Sequence, residues 1–196
     1  MLGISNGNYA GNSGMAMNPT AMMLMPYKWE VQILSFDLSV ENNFIGMPKK
    51  RLFSSSESVN NQPYGGLNFY TNSSDKSANA HFALGLPAII YRFKDMAIGA
   101  RMTVRNDMSA HNISSGLAIL AYKGTDYKYI QGKDIVIDGM RIGDLTWVET
   151  ALSFGKQLSK SESRKWLAAG SLKYLTAFQG SYAGISNASL KVVNDT

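Results

Sequence analysis

The sequence predicts an all-β fold, an antiparallel up-and-down β-barrel of transmembrane type, with these residues forming the N-terminal part of a larger barrel behind a short plug-like segment. Three observations predict it. First, residues 77–108 hold two alternating runs that meet at a tight Lys94-Asp95 turn. Met96, Ile98, Ala100, Met102 and Val104 take one parity; Ala97, Gly99, Arg101, Thr103, Arg105 and Asp107 take the other. Successive side chains of a strand point to opposite faces, so one wall is apolar and the other wet. Second, the connections between long strands run long, short, long, short, as in bacterial barrels with short periplasmic turns and long external loops. Third, no run of about 18 apolar residues occurs, so no transmembrane helix is expected. A hydrophobic content of 45% and a mean hydropathy of -0.13 suit strands with only half their residues on a lipid face.

The elements follow in order. Residues 1–26 are rich in Gly, Asn and Met and are assigned as an N-terminal plug or periplasmic segment. Within them Asn18 reads as an N-cap and Pro19 as the first helical residue, with the methionines suited to filling irregular gaps. Residues 27–196 are assigned to barrel strands. In 27–43, Tyr27, Trp29, Val31 and Ile33 share one face, then Leu34, Phe36, Leu38 and Val40 take the other parity. The flip at Ile33–Leu34 predicts a bulge there or a plug packed against the inner wall. Residues 44–77 are a long loop with the basic run Lys49-Lys50-Arg51 and a short strand within 67–71.

In the first strand of the hairpin, Ala80, Phe82, Leu84 and Leu86 alternate with Asn79, His81, Ala83 and Gly85. After Pro87 the large apolar residues change parity to Ile89, Tyr91 and Phe93, a flip that proline at a bulge explains. Tyr91 and Phe93 fall where an interfacial aromatic girdle would lie. Residues 109–145 are a second long loop, with a short helix within 113–122 and a strand at 135–137. A second hairpin joins 146–158 to 165–180. Centring its turn on Ser161 sets Glu149 opposite Lys173. A last strand is expected at 189–193. That makes five or six long strands, fewer than the eight of the smallest common membrane barrels.

The net charge of +5 raises the question of nucleic acid, but the basic residues are scattered, and no nucleic-acid partner is expected. Cysteine is absent, which removes disulfides and thiolate metal sites. Met1-Leu2 runs directly into polar residues, without the charged and apolar regions of a signal peptide. For an exported protein, the numbering would then begin near the mature end. His81 and His111 are too few and too far apart for a familiar metal site or triad. Asp134, Asp138 and Asp144 lack calcium-loop spacing, and Gly65-Gly66 lacks the phosphate-loop pattern. No enzyme activity, cofactor or metal is expected.

The residues expected to carry function face the lumen: Arg101, Arg105, Asp107, Glu149 and Lys173. They would set charge selectivity in a pore or hydrogen-bond the N-terminal segment in a plugged barrel. The expected function is an outer-membrane barrel acting as a plugged or passive transport channel. One alternative is a structural subunit of a larger outer-membrane assembly or secretion complex. Another is a soluble β-sandwich that binds a carbohydrate or lipid.

Ser5-Asn6-Gly7-Asn8-Tyr9-Ala10-Gly11-Asn12 followed by Asn18-Pro19 resembles the start of an uncharacterised family of outer-membrane β-barrel proteins from Bacteroidota. The strand at 27–43, Gly85-Leu86-Pro87-Ala88, Arg101 to Arg105, Trp166 to Tyr174 and Gly180-Ser181-Tyr182 fit the same pattern, so the likeness runs through most of the chain. It implies a cell-envelope location in the bacterial outer membrane, with lipid and other outer-membrane proteins as the expected partners. It makes Asn6, Tyr9, Gly11, Asn18 and Pro19 the marks of the N-terminal segment. Longer relatives continue into more strands, some into a peptidoglycan-binding domain of the outer-membrane protein A type. The resemblance implies no catalytic residues.

Overall fold

Alternation decides the secondary structure. The computed structural model describes residues 10–46, 68–70, 72, 74–160 and 165–193, and it is mostly antiparallel sheet, 65% strand. Two short helices come first, α1 (Gly11–Met15) and α2 (Ala21–Leu24). They lead to β1 (Trp29–Gln32), β2 (Ser35–Asn42), β3 (Ile45–Gly46) and β4 (Asn68–Phe69). Then come β5 (Lys76–Gly85), β6 (Ala88–Phe93), β7 (Met96–Ile113) and helix α3 (Ser115–Lys123). The chain ends in β8 (Asp134–Ile137), β9 (Met140–Lys160), β10 (Lys165–Ile185) and β11 (Ala188–Lys191).

Seven strands form one sheet in the order β1-β6-β7-β5-β2, with β9 pairing β7 on one side and β10 on the other. The breaks within it fall where the apolar phase flips. β1 and β2 are separated at Ile33–Leu34, and β5 and β6 at Leu86–Pro87. Proline cannot donate to the ladder, whereas the Leu86 N–H still donates to the Met102 carbonyl at 2.9 Å. The flips keep large apolar residues on one side of the sheet: Val31, Phe36, Leu38, Ile89 and Tyr91 are all exposed.

At the tight hairpin Phe93 pairs with Met96 and Ile89 with Ala100. Lys94 takes a φ of 48°, as a two-residue turn of matching twist requires. Beyond it β7 runs to Ile113 and β9 starts at Met140, so the loop expected at 109–145 is shortened from both ends. Ladder hydrogen bonds carry a strand past the point where its side chains stop alternating cleanly. β10 outlasts the expected 165–180 for the same reason.

Helix α2 starts later than Asn18-Pro19 suggests. Thr20 is its N-cap, and Asn18 instead closes the preceding turn, its Oδ1 accepting from the Thr20 N–H at 3.1 Å. The helix expected within 113–122 is α3. The Ser114 hydroxyl accepts from the Leu117 N–H at 3.4 Å, and Gly124, at φ 79°, stops it. The basic run Lys49-Lys50-Arg51 lies outside the described residues.

The chain divides into two compact units. One comprises Met1–Ser39, His81–Asp107 and Leu145–Gly180; the other comprises Val40–Ala80, Met108–Asp144 and Ser181–Thr196. The second unit has its own apolar cluster of Ile119, Ile130, Ile135 and Val192, with Phe69 and Tyr127 packed on it. There β8 pairs with β11 and β3 with β4. The candidate site lies wholly in the first unit.

Candidate functional site

In the first unit the two faces of the sheet differ in kind. The outer face presents Trp29, Tyr91, Ile98, Met102, Leu152, Phe154, Trp166 and Leu172, all exposed. Among the described residues no second layer covers them. The inner face presents Ala97, Thr103, Glu149, Ala151 and Ser153, all buried. The methionine and valine row of β7 therefore faces outward, and Arg101 and Arg105 face inward.

What lies on the inner face is the N-terminal segment. Met15, Met22, Met23 and Met25 pack with Ile90 and Ala97 into one cluster, bordered by Leu167. The wall is cut to receive them. A Cβ at Gly99 would collide with the sulfurs of Met15 and Met22, and one at Gly155 would lie 3.1 Å from Met23 Cγ. Thioether chains fill such irregular space well. Polar bonds fix the segment in register. The Asn12 N–H donates to Glu30 Oε1 at 2.9 Å, and Asn12 Nδ2 donates to the Glu30 carbonyl at 3.3 Å. Gly11, at φ 49°, lies so close to the Glu30 carboxylate that a Cβ would strike it. Arg101 Nη1 donates to the Asn12 carbonyl at 3.2 Å, while its Nε donates to Thr103 Oγ1 at 3.1 Å. Arg92 Nη1 donates to the Met25 carbonyl.

Deeper along the same face runs a chain of charges. Glu149 is 8% exposed and takes Lys173 Nζ at 3.1 Å and Arg105 Nε at 3.3 Å. Arg105 Nη1 faces His81 Nε2 at 3.5 Å, and His81 Nδ1 meets the Asp107 carboxylate. A neutral imidazole with its proton on Nδ1 satisfies both neighbours. One carboxylate between two cations holds both, and removing it would leave two like charges facing each other without compensation.

Four of the five residues expected to face the lumen thus belong to one connected group, Asp107 joining through His81. Arg101 stands apart and grips the N-terminal segment. His81, which the sequence alone does not mark as a site residue, belongs to the same group as Asp107. The sign that it belongs is its parity, shared with Ala83 and Gly85 on the inner side of β5. His111 is exposed at the far end of β7. Of the N-terminal marks, Gly11 contacts Glu30, Asn18 and Pro19 shape the turn before α2, and Asn6 and Tyr9 lie outside the described residues. Among the described residues no group of three or more His, Asp or Glu is placed to hold a metal ion, so Asp134, Asp138 and Asp144 do not converge.

Beside the segment a cleft of about 330 Å³ opens between α1 and strands β2, β5 and β7, with Ser35, Asp37, His81, Arg101 and Arg105 among its lining residues. No protein-family model, curated protein or solved structure matches the chain. The geometry of the inner face is therefore the basis for a functional reading.

Proposed function

We propose that the large sheet is part of the wall of an outer-membrane β-barrel, a plugged or passive transport channel with its lumen on the Arg101 side. The observation that carries this reading is the inversion of the sheet: large apolar side chains face outward with no protein layer over them, and charges face inward. Water penalises such an outer face, with patches of this size rare on soluble monomers, whereas lipid favours it.

A further feature supports the reading. Trp29 pairs with Tyr91, Tyr91 stacks on Phe93 at 5.9 Å, and all three lie toward the short-turn end, where an aromatic girdle belongs. None of the described helices is long and apolar enough to cross a membrane. Among the described strands, β10 pairs only with β9. Closure of the barrel therefore requires further strands against β10 and against the β1 and β2 edge.

Residues 10–25 occupy the inner face as a plug. The structural-subunit alternative draws on the second unit, whose separate apolar cluster forms a body that a partner protein can grip. A soluble sandwich would need a second sheet over the outer face.

Planar-bilayer recording of the detergent-purified full chain tests the channel. Discrete conductance that rises when residues 10–25 are deleted is the expected result. A protein that folds into the bilayer yet never conducts, with or without the segment, favours the structural subunit. A monomer that is stable without detergent overturns the membrane reading altogether.

A further inference from the structure

The rim at the short-turn end of the sheet carries charge that neither wall nor plug requires. A hollow of about 420 Å³ lies there, lined by Tyr27, Lys28, Tyr91, Arg92, Phe93 and Lys94 together with Pro26. Three of these residues are cations and none is an acid. Asp95 follows Lys94 in the turn but does not line the hollow. Among the described residues no carboxylate forms an ion pair with Lys28, Arg92 or Lys94. The lining comes from the lead-in to β1 and the end of β6, strands already paired with each other. Arg92 is fixed there: its N–H donates to the Lys28 carbonyl at 2.6 Å, and its Nη1 donates to the Met25 carbonyl. Lys28 and Lys94 are exposed.

Turn chemistry does not account for Lys94. Its φ of 48° is one that Gly, Asn and Asp adopt at least cost in a two-residue hairpin. A lysine held there against its backbone preference needs another use. The aromatic rings give the depth of the hollow. Tyr27 and Trp29 share one parity, Trp29 pairs with Tyr91, and Phe93 pairs with Met96, so the rings lie on the outer face. On β9 the same order recurs, with exposed Lys156 two residues past exposed Phe154. Rings at headgroup depth with cations just beyond them mark a membrane interface. Long basic side chains reach from such a position toward lipid phosphate.

We propose that this hollow binds the headgroup of an anionic phospholipid in the leaflet at the short-turn end. Its phosphate lies among Lys28, Arg92 and Lys94, and its acyl chains run along the outer face past Tyr91 and Ile98. Two ammonium groups and a guanidinium supply charge-assisted donors to the phosphate oxygens, and no acid lines the hollow to repel them. A zwitterionic headgroup brings its own cation to the same place and gains less. The assignment rests on the reading of the sheet as a membrane wall, since that is what brings lipid to this face.

Quenching of tryptophan fluorescence by brominated lipid tests the site. The full chain carrying Trp147→Phe and Trp166→Phe keeps Trp29, beside the hollow, as its one tryptophan. It is inserted into phosphatidylcholine vesicles that contain brominated phosphatidylglycerol or brominated phosphatidylcholine as the minority lipid. Phosphatidylglycerol should quench at a mole fraction lower by about fivefold or more, the worth of one cation near an anionic headgroup. Lys28→Gln with Lys94→Asn should erase that preference while thermal stability holds, because Asn suits the turn. Lys128→Gln with Lys133→Gln, on the second unit, should leave it intact. Sodium phosphate should displace the lipid no better than sodium chloride of equal ionic strength. Four results would each overturn the proposal: equal quenching by both lipids, a preference that survives the Lys28 and Lys94 changes, one lost equally with Lys128 and Lys133, or displacement by phosphate beyond that by chloride. A chain that inserts without preference sinks the lipid site alone, whereas one that enters no vesicle sinks the wall reading and the site with it.

Discussion

The two faces of the large sheet carry opposite chemistry on the same strands. On β7, Ile98 is 49% exposed and Met102 40%, while Ala97 next to Ile98 is 0% and Thr103 next to Met102 is 1%. On β9, Leu152 is 59% exposed and Ser153 5%. A soluble antiparallel sheet buries its large apolar residues and wets its small polar ones. Here large apolar side chains are outside, and small side chains, hydroxyls and ion pairs are inside against a segment of the chain's own N-terminal region. The difference teaches that the inner face is packed by shape and charge pairing, while the outer face is packed by whatever solvent surrounds it.

That contrast breaks most sharply on the outer face. Arginine at Met102 should cost about 2–4 kcal/mol if that residue lies near a bilayer midplane, and arginine at Ile98, which pairs with Tyr91 at the girdle, about 0–1 kcal/mol, read by urea titration of folding into liposomes. On a water-facing surface the change at Met102 would stay within about 0.5 kcal/mol, and that result would end the contrast. Next in size is Gly99→Leu, which sets a side chain into the space of the Met15 and Met22 sulfurs and should cost about 1–3 kcal/mol by overpacking. Limited proteolysis should then cut within residues 10–25, whereas Ala100→Leu, one residue away on the outer face, should leave the segment protected. Smallest is Glu149→Gln, which leaves Arg105 and Lys173 without their shared carboxylate. Both cations reach some water, so the cost should be about 1–2 kcal/mol. Adding Lys173→Gln should recover part of it, measured as the coupling in a double-mutant cycle. Strict additivity would mean the Glu149–Lys173 contact carries nothing.

Period-two patterning made the wall readable. The hairpin at Lys94-Asp95 and the parity flips at Ile33–Leu34 and Pro87 all follow from local alternation and from what proline forbids. The Glu149–Lys173 pair followed from turn position alone, because a hairpin fixes register over its whole length. That the methionines of the N-terminal segment fill gaps and that Arg101 bonds the segment are both expected from the sequence and both present. Which residues meet is not readable: Asn12 meets Arg101 across 89 positions, and no periodicity encodes the register between an irregular segment and a strand so distant in the chain. The gaps at Gly99 and Gly155 read in the sequence only as weak strand residues, and their purpose appears once methionine sulfurs are found above them. His81 escaped for a related reason: its two partners come from another strand, so nothing next to it in the chain marks it.

The methionine seat gives the segment a chemical vulnerability. Met15, Met22, Met23 and Met25 are almost fully shielded, while Met17, on the same stretch, is 60% exposed. An oxidant such as peroxide therefore meets Met17 first, and conversion to the sulfoxide there adds a polar oxygen where water already is. The same conversion at Met22 would press a bulky dipole against bare backbone at Gly99, in a space with no donor to receive it. Within residues 10–25 oxidative damage thus has a threshold: sulfoxide at Met17 leaves the seat intact, and sulfoxide at the shielded methionines unseats the segment.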